Sequence, residues 1–242
     1  MGPGFKPEEL AARYDVEQFS EDEWHTYSGE QTKRLLSRYV TSGQGIPNVL
    51  LNAGSGVYQL GLAGWREIAV DLFDSPIRSR PGAVRGDIQQ LEFPAGSFGA
   101  VVCVGEVLGY CDPVRAIKEF ARVTAPNGLL VCDFRSTLSF RCWFSKEFKR
   151  AADLVTDEYK GSPEPVWVYD PGYILSLVKS SGFSIKAVHG FHTWSALARR
   201  LGTSPIFATT VERWFRFLPR PTVCADIKTI VAVRDELGPV PQ

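Results

Sequence analysis

The sequence predicts an α/β protein with a doubly wound, mostly parallel sheet of seven strands. Its 242 residues, 44% of them hydrophobic and 22% charged, suit one domain of ordinary globular composition. Short apolar runs alternate with helix-like segments along most of the chain. Nearly continuous apolar strands separated by helices are typical of a parallel sheet that is covered on both faces.

The first predicted element is a helical cap over residues 1–45. The pattern from Lys6 to Tyr39 is helical, and Ser28 with Gln31 resembles a capping box ahead of the run TKRLLSRYV. The stretch from Gly43 to Pro47 ends the helix.

Seven strand-like runs follow the cap. In chain order they read NVLLN, EIAVD, GAVRGD, FGAVVCVG, GLLVCDF, FSIKAVH and DIKTIVAVRD. A small-residue turn and a short helix are expected after the first run. Asp112 and Pro113 predict the start of a helix that ends at Thr124, and a further helix is predicted near Pro171 to Ser180.

The chain is expected to form one domain, with a core over 46–134 and a substrate-side half over 135–242. Insertions at 135–165 and 192–221 mix aromatic with basic residues and would roof one edge of the sheet. In the first insertion, four aromatic residues are predicted near one helical face: Phe140, Trp143, Phe144 and Phe148.

Charge and composition argue against several classes of protein. Basic and acidic residues both number 27, so the chain lacks the basic surplus with which proteins gather nucleic acid. No segment approaches the roughly 18 to 20 apolar residues that span a bilayer, so we expect a cytoplasmic protein without stable membrane association. The five cysteines form no C-x-x-C motif, which predicts reduced thiols and no metal site.

The turn after the first strand, VLLNAGSGVY, is the first candidate binding feature. A small-residue turn between a strand and a helix directs backbone N–H groups towards a polar ligand. The third glycine of a dinucleotide fingerprint is missing, because Gln59 stands where G-x-G-x-x-G requires it. A phosphate-binding P-loop is absent as well.

Acidic residues close the next strands. The second run ends in Asp71, the third in Asp87 followed by Ile88, and the fourth runs into Gly105 and Glu106. The carboxyl ends of parallel strands meet at one edge, where open α/β sheets bind their ligands. An acidic side chain at the end of the second strand can accept both hydroxyl groups of a ribose.

These features together resemble the class I S-adenosylmethionine-dependent methyltransferases, which have a Rossmann-like fold. The resemblance is close from Asn48 to Phe134 and looser to Asp235, where DIKTIVAVRD is similar to that family's reversed last strand. It implies S-adenosylmethionine as the cofactor and a methyl transfer to an O, N or C atom. The near-neutral charge balance and the two insertions favour a small molecule as the acceptor. The resemblance also implies a set of cofactor-binding residues, namely Asn52, Ala53, Gly54, Ser55, Gly56, Asp71, Leu72, Asp87, Ile88, Val104, Gly105 and Glu106.

Within that set, the resemblance implies separate contacts. The turn would pack along the methionine and ribose, Asp71 would take the ribose hydroxyls, and Asp87 would meet the adenine amino group with Ile88 against the ring. Backbone groups from Val104 to Glu106 would face the methionyl ammonium. The chain departs from the family's acidic-x-G-x-G-x-G motif at two positions, where Asn52 replaces the acid and Tyr58 the third glycine.

Proton removal from the acceptor points first to histidine, which titrates near neutral pH. His192 and His189 follow the sixth strand, while His25 lies in the cap. We predict His192 as the catalytic base, with Glu106 and Tyr110 as alternative contacts close to the expected methyl group.

Three other functions remain open at the level of sequence. A nicotinamide-dependent oxidoreductase could use a related sheet, a noncatalytic scaffold could retain the pocket, and a cofactor-bound enzyme could perform chemistry other than methyl transfer. The replacement of the acid by Asn52 is compatible with a noncatalytic scaffold, whereas the missing third glycine disfavours the oxidoreductase.

Overall fold

A seven-stranded sheet forms the centre of the protein, whose computed structural model describes residues 23–41, 45–74, 81–159, 162–217 and 222–236. Its strands are β1 (Val49–Ala53), β2 (Arg66–Asp71), β3 (Val84–Arg85), β4 (Phe98–Cys103), β5 (Thr124–Arg135), β8 (Phe183–Phe191) and β9 (Ile227–Arg234). The order across the sheet is β3-β2-β1-β4-β5-β9-β8. Only β9 runs against its neighbours β5 and β8, so the predicted reversed last strand is confirmed.

The strand order reverses between β1 and β4, which are parallel neighbours. In open α/β sheets a crevice forms at such a point, outside the carboxyl ends of the strands. Every residue of β4 is buried, as is expected of a central strand with both faces covered. The fold therefore places the candidate site where the acidic strand ends converge.

Five helices are described: α1 (Glu23–Tyr39), α2 (Pro113–Val123), α3 (Pro171–Ser180), α4 (Trp194–Arg200) and α5 (Pro205–Trp214). Short 3₁₀ turns lie at Val107–Tyr110, Phe140–Cys142, Phe215–Phe217 and Thr222–Cys224. The predicted cap of α2 is confirmed, because the Asp112 carboxylate accepts a hydrogen bond from Val114 N at 2.9 Å and Pro113 occupies the first turn.

The two faces of the sheet are covered by different parts of the chain. Ile117 and Phe120 of α2 pack on one face with Ile174 and Val178 of α3. On the other face, α1 packs its buried leucines against β1, β4 and β5; the residues of this cluster include Leu35, Leu36, Val40, Leu50, Val102 and Val131. The described helix of the cap, α1, therefore contributes to the hydrophobic core on one face of the sheet.

The predicted short helix after β1 is wrong. Residues 54–65 form turns and extended chain instead, and four glycines in this stretch have positive φ: Gly54, Gly56, Gly61 and Gly64. Glycine is costly in a helix and readily adopts left-handed turns, so four such positions favour an irregular loop. Helix α1 covers the sheet face beside this loop.

The predicted capping box is also wrong. Ser28 lies inside α1, where its hydroxyl donates to the Trp24 carbonyl at 3.2 Å. The part of the predicted helix from Lys6 to Asp22 lies outside the described residues.

The first insertion is a hairpin, not the predicted aromatic helix. After the 3₁₀ turn, the chain forms β6 (Ala152–Tyr159) and β7 (Ser162–Tyr169), which pair antiparallel. Phe144 and Lys149 have φ of 59° and 64°, which interrupts any helix between them, and the Phe144 side chain is 93% exposed. The second insertion forms α4 and α5, although Leu218 to Pro221 lie outside the described residues.

All five cysteines are free thiols, as predicted. Cys103, Cys111 and Cys132 are buried in the core beside the strands. None of the described helices is both long and apolar enough to cross a membrane.

The role of α1 in the core makes a prediction about stability. Leu35→Ala should lower the free energy of unfolding by about 2 to 5 kcal/mol, because Leu35 is buried and its truncation leaves a cavity. Denaturant unfolding at constant pH measures this loss. Leu201→Ala is the matched control, since Leu201 is 77% exposed. Equal effects of the two substitutions would show that α1 does not pack as described.

Candidate functional site

A cavity of about 170 Å³ opens at the carboxyl ends of β1, β2, β3 and β4. The structure brings nine of the predicted residues to its walls: Gly54, Ser55, Gly56, Asp71, Leu72, Asp87, Ile88, Val104 and Gly105. We call this cavity the nucleoside cleft, because a nucleoside is the ligand that the acidic strand ends predict. Further wall residues that the sequence did not assign include Phe73, Gln89 and Val107; each lies within two residues of an assigned one.

A second cavity of about 240 Å³ adjoins the cleft, and we call it the acceptor cavity. Asn52 and Glu106 line it, whereas Ala53 is fully buried within β1 and lines neither cavity. The two cavities share wall residues at Ser55, Tyr58, Val104, Gly105 and Tyr110. The residue that replaces the third glycine, Tyr58, therefore stands between them.

Asp71 ties the first turn to the end of β2. Its buried carboxylate accepts hydrogen bonds from Gly56 N at 2.7 Å and Phe73 N at 3.1 Å. These bonds fix the turn against the end of β2 and hold the Asp71 carboxylate at the wall of the cleft.

The first turn needs glycine for reasons of space. Gly54 has φ of 70°, and a Cβ atom at this position would lie 2.5 Å from Cγ1 of Val107. The loop after β4 thus packs directly on the turn after β1. This close approach brings the two loop tips together at the floor of the cleft.

Asp87 is held at the far end of the cleft. Its carboxylate accepts hydrogen bonds from Gln89 N at 2.9 Å and Gln89 Nε2 at 3.0 Å. Gln89 in turn accepts from Asp112 N at 3.0 Å through its amide oxygen, which links this loop to the start of α2. Ile88 is buried beside it.

A buried carboxylate also fixes the loop after β4. Asp133, at the end of β5, accepts hydrogen bonds from Gly105 N at 3.0 Å and Glu106 N at 2.8 Å. Burial raises the pKa of Asp133 to about 7, although the two backbone N–H groups oppose the shift. Glu106 sits in the left-handed region with φ of 64°, a conformation that these two bonds stabilise.

Charged side chains line one wall of the acceptor cavity. Nitrogen atoms of the Arg135 guanidinium lie close to three carboxylate oxygens. The distances are 3.3 Å to Glu106, 2.6 Å to Asp157 and 3.6 Å to Asp226. Arg141 also pairs with Asp157. Burial raises the pKa of Asp157, but both guanidiniums outweigh it and hold that pKa below its usual range. The rest of the wall is largely apolar and includes Trp24, Leu36, Tyr110, Val166, Phe191 and Ile227.

Glu106 stands at the junction of this charged wall with the cleft. Burial raises the pKa of its carboxyl, and the neighbouring Arg135 guanidinium partly opposes that shift. The raised pKa follows the general rule that desolvation disfavours the charged form. Glu106 and Asp133 are therefore two carboxyl groups of the acceptor cavity whose pKa burial raises.

His192 occupies a different environment from the one predicted. Its ring is fully buried and stacks on Trp24, with the ring centroids 3.6 Å apart. Nε2 lies 2.7 Å from Ser28 Oγ, and Nδ1 lies 2.9 Å from Ser195 Oγ. Burial lowers the pKa of His192 to about 3.

These contacts argue against His192 as the catalytic base. Both ring nitrogens are engaged, the imidazole is neutral at physiological pH, and His192 is not among the wall residues of either cavity. Its position joins α1 to α4. His189 lies on β8, and its Nε2 atom is 3.2 Å from Tyr39 Oη at the end of α1. His25 lines the acceptor cavity. The described residues contain no cluster of side chains that could hold a metal ion.

Comparison with known proteins agrees with this geometry. Residues 51–132 match a family model described as a methyltransferase domain. The demethylmenaquinone methyltransferase of Deinococcus radiodurans is 29% identical over 109 residues, which are 40% of this chain and 45% of that protein. The chain therefore spans less than half the length of this curated relative.

Solved structures share the fold over most of the chain. The PH0226 protein of Pyrococcus horikoshii OT3 superposes with a TM-score of 0.61 at 16% identity, covering 96% of this chain and all of that one. The [4+2]-cyclase SpnF superposes with a TM-score of 0.56 at 17% identity, covering 90% of this chain and 85% of that one. The predicted resemblance and the predicted fold class are confirmed.

The buried carboxyl of Asp133 makes a prediction about pH. Its pKa in the folded protein is raised, so the folded state binds this proton more tightly than the unfolded chain does. The stability that this proton gives is present at about pH 4 and is lost as the pH rises through about 7. The difference in free energy of unfolding between the wild type and Asp133→Asn should therefore fall by about 3 to 4 kcal/mol as the pH rises from 4 to above 7.

Denaturant unfolding at a series of pH values measures the difference. Asp74→Asn is the control, since this exposed carboxylate pairs with Arg85 at the surface. A wild-type minus Asp133→Asn difference that stays constant from pH 4 to pH 8 would contradict the described burial of Asp133.

Proposed function

We propose that this chain is a class I S-adenosylmethionine-dependent methyltransferase that methylates a small molecule, because residues 51–132 match a methyltransferase domain and the fold agrees with it. One observation carries the proposal: nine of the twelve predicted cofactor residues line one cleft, which shares five wall residues with an adjoining cavity. Bound S-adenosylmethionine supplies an electrophilic methyl group on a positively charged sulfur. The protein's part is to orient the acceptor, exclude water and manage a proton.

The proposed cofactor contacts follow the loops of the nucleoside cleft. Asp71 accepts the ribose hydroxyls, and Asp87 accepts from the adenine amino group beside Ile88. The turn Gly54–Gly56 packs along the ribose and methionine, with Asn52 adjoining it from β1. Carbonyl groups between Val104 and Glu106 face the ammonium. The wall composition fits such a ligand, since acidic groups and backbone line the cleft together with apolar Leu72, Ile88 and Val107.

The acceptor is proposed to occupy the larger cavity, which contacts the cleft through five shared residues. Helix α1 walls it on one side, and Val166 and Glu164 of β7 on another. Arg199 and Pro205, from α4 and α5, also line it. A concave site of about 240 Å³ suits a small molecule better than a polymer. The balanced total charge and free thiols are compatible with the predicted cytoplasmic location and lack of nucleic-acid partners.

Glu106 replaces His192 as our proposed proton acceptor. Its carboxylate lines the acceptor cavity next to Gly105, at the boundary with the cleft. A hydroxyl or neutral amine acceptor would attack with its own lone pair, and the proton that it loses would pass to the Glu106 carboxylate. The bound cofactor would supply the methyl group, and its sulfur would keep the electron pair of the bond that breaks. A raised carboxyl pKa suits this role, because general bases work best with a pKa near the operating pH.

The fold alone does not decide the chemistry, since one structure of the same fold is named a cyclase. The decisive experiment incubates the protein with methyl-labelled S-adenosylmethionine and host extract, followed by mass spectrometry. A metabolite heavier by one labelled methyl group is the expected product. Calorimetry with S-adenosylhomocysteine and with NAD separates the rivals. Binding of NAD alone would favour an oxidoreductase, and binding of S-adenosylhomocysteine without a labelled product would favour a scaffold or a different reaction.

Asp71→Ala tests the cofactor assignment. The substitution removes charge-assisted hydrogen bonds to the ribose and the carboxylate that holds Gly56 N. S-adenosylhomocysteine should therefore bind about 1 to 3 kcal/mol more weakly by calorimetry. Asp74→Ala, three residues further along, is the control and should bind as the wild type does. Unchanged affinity in Asp71→Ala would refute this assignment.

Glu106→Gln tests proton transfer separately from binding. The amide preserves the size of the side chain but cannot accept the proton, so labelled product should form about 100-fold more slowly. S-adenosylhomocysteine affinity should change by no more than about threefold, because the proposed ammonium contacts are backbone carbonyls. Glu92→Gln, at an exposed position, is the control. A wild-type rate in Glu106→Gln would exclude this residue as the base.

A further inference from the structure

Glu67, near the start of β2, organises the loop that replaces a helix after β1. Its carboxylate accepts hydrogen bonds from Leu60 N at 3.0 Å and Gly61 N at 3.1 Å. It also accepts from the side-chain amide of Asn52 at 2.8 Å. Three donors thus converge on one carboxylate, and two of them are backbone groups that a helix would otherwise engage.

Asn52 contacts the same loop from the opposite side. Its Nδ2 atom carries two hydrogens, of which one reaches Glu67 and the other the Tyr58 carbonyl oxygen at 3.0 Å. The side chain is 3% exposed, and β1 pairs in parallel with β2 through Asn52 and Ala69. An aspartate has no donor for either contact.

We propose that Asn52 and Glu67 form a positioning pair for the loop over residues 54–65, in which the carboxylate stands on the second strand and the amide on the first. This inference rests on the proposed function. The loop that the pair holds includes Tyr58, which lines both cavities, and Leu60, which lines the acceptor cavity. The pair therefore sets the wall against which cofactor and acceptor lie.

The pair also explains why the family's acidic residue is absent from position 52. An aspartate there would place two carboxylates where an amide now donates across 2.8 Å. Like charges at such a distance in a partly buried site repel, and the Tyr58 carbonyl would lose its donor. Both N–H groups of Asn52 are engaged, so the group it can offer a ligand is its carbonyl oxygen, an acceptor suited to an ammonium.

The pair makes an unusual prediction: restoring the family's residue should impair binding. Asn52→Asp should weaken S-adenosylhomocysteine binding about tenfold or more, and Glu67→Gln by a few fold. In the double variant N52D/E67Q, the new amide at position 67 can donate to the new carboxylate at position 52, while the amide oxygen accepts from the loop. The double variant should therefore bind more tightly than N52D alone, a rescue that independent effects cannot produce.

Asn127→Asp is the matched control. The Asn127 amide also donates to a glutamate, Glu236 Oε1 at 2.9 Å, but on an exposed surface at the start of β5. This variant should bind as the wild type does. Calorimetry gives the dissociation constants, and circular dichroism checks that each variant is folded. If N52D does not fold, E67Q and the double variant still test the pair, because the double variant should then fold.

The outcomes separate this inference from the proposed function. A wild-type protein that fails to bind S-adenosylhomocysteine would overturn the proposed function. A wild type that binds, with N52D equal to it or with effects of N52D and E67Q that simply add, would overturn the positioning pair alone. Rescue in the double variant, with N127D unchanged, is the result that the pair predicts.

Discussion

The cleft depends on carboxylates that accept hydrogen bonds from the backbone N–H groups of its own loops. Asp71 binds Gly56 N, Glu67 binds Leu60 N and Gly61 N, and Asp133 binds Gly105 N and Glu106 N. Irregular loops leave backbone donors without helix or strand partners, and buried donors of this kind need an acceptor. Side chains on neighbouring strands meet that need, so the sheet register itself positions the loop tips.

The two cavities differ in the charged groups on their walls. The nucleoside cleft presents Asp71 and Asp87 with backbone groups, whereas the acceptor cavity has a wall of paired charges around Arg135. Arg135 is only 7% exposed, and a charge so buried is tolerated because three carboxylates surround it. Glu106 lines the acceptor cavity and directly follows Gly105, which lines both cavities. Its position links the loop that would hold the cofactor to the wall that would hold the acceptor.

Local sequence was enough to predict the seven strands of the central sheet and their acidic ends, because an apolar run followed by an aspartate is a signal carried by adjacent residues. The β6–β7 hairpin was not predicted. The structure places Asp71 and Asp87 in one cleft accordingly. Contacts between distant residues had no such signal. Ser28 and His192 are 164 positions apart, and Asp133 reaches Gly105 across 28, so the burial of the histidine and the support of the β4 loop emerge only from packing. The glycines after β1 also outweighed the helix that the usual pattern predicts.

A crystal structure of the protein grown with S-adenosylhomocysteine is the most direct measurement of the central claim. The account predicts a nucleoside in the cleft, with both ribose hydroxyls within hydrogen-bonding distance of the Asp71 carboxylate, and with Gly56 N and Phe73 N still bonded to it. Well-ordered loops around a cleft without the nucleoside, or a nucleoside bound elsewhere on the protein, would contradict the account.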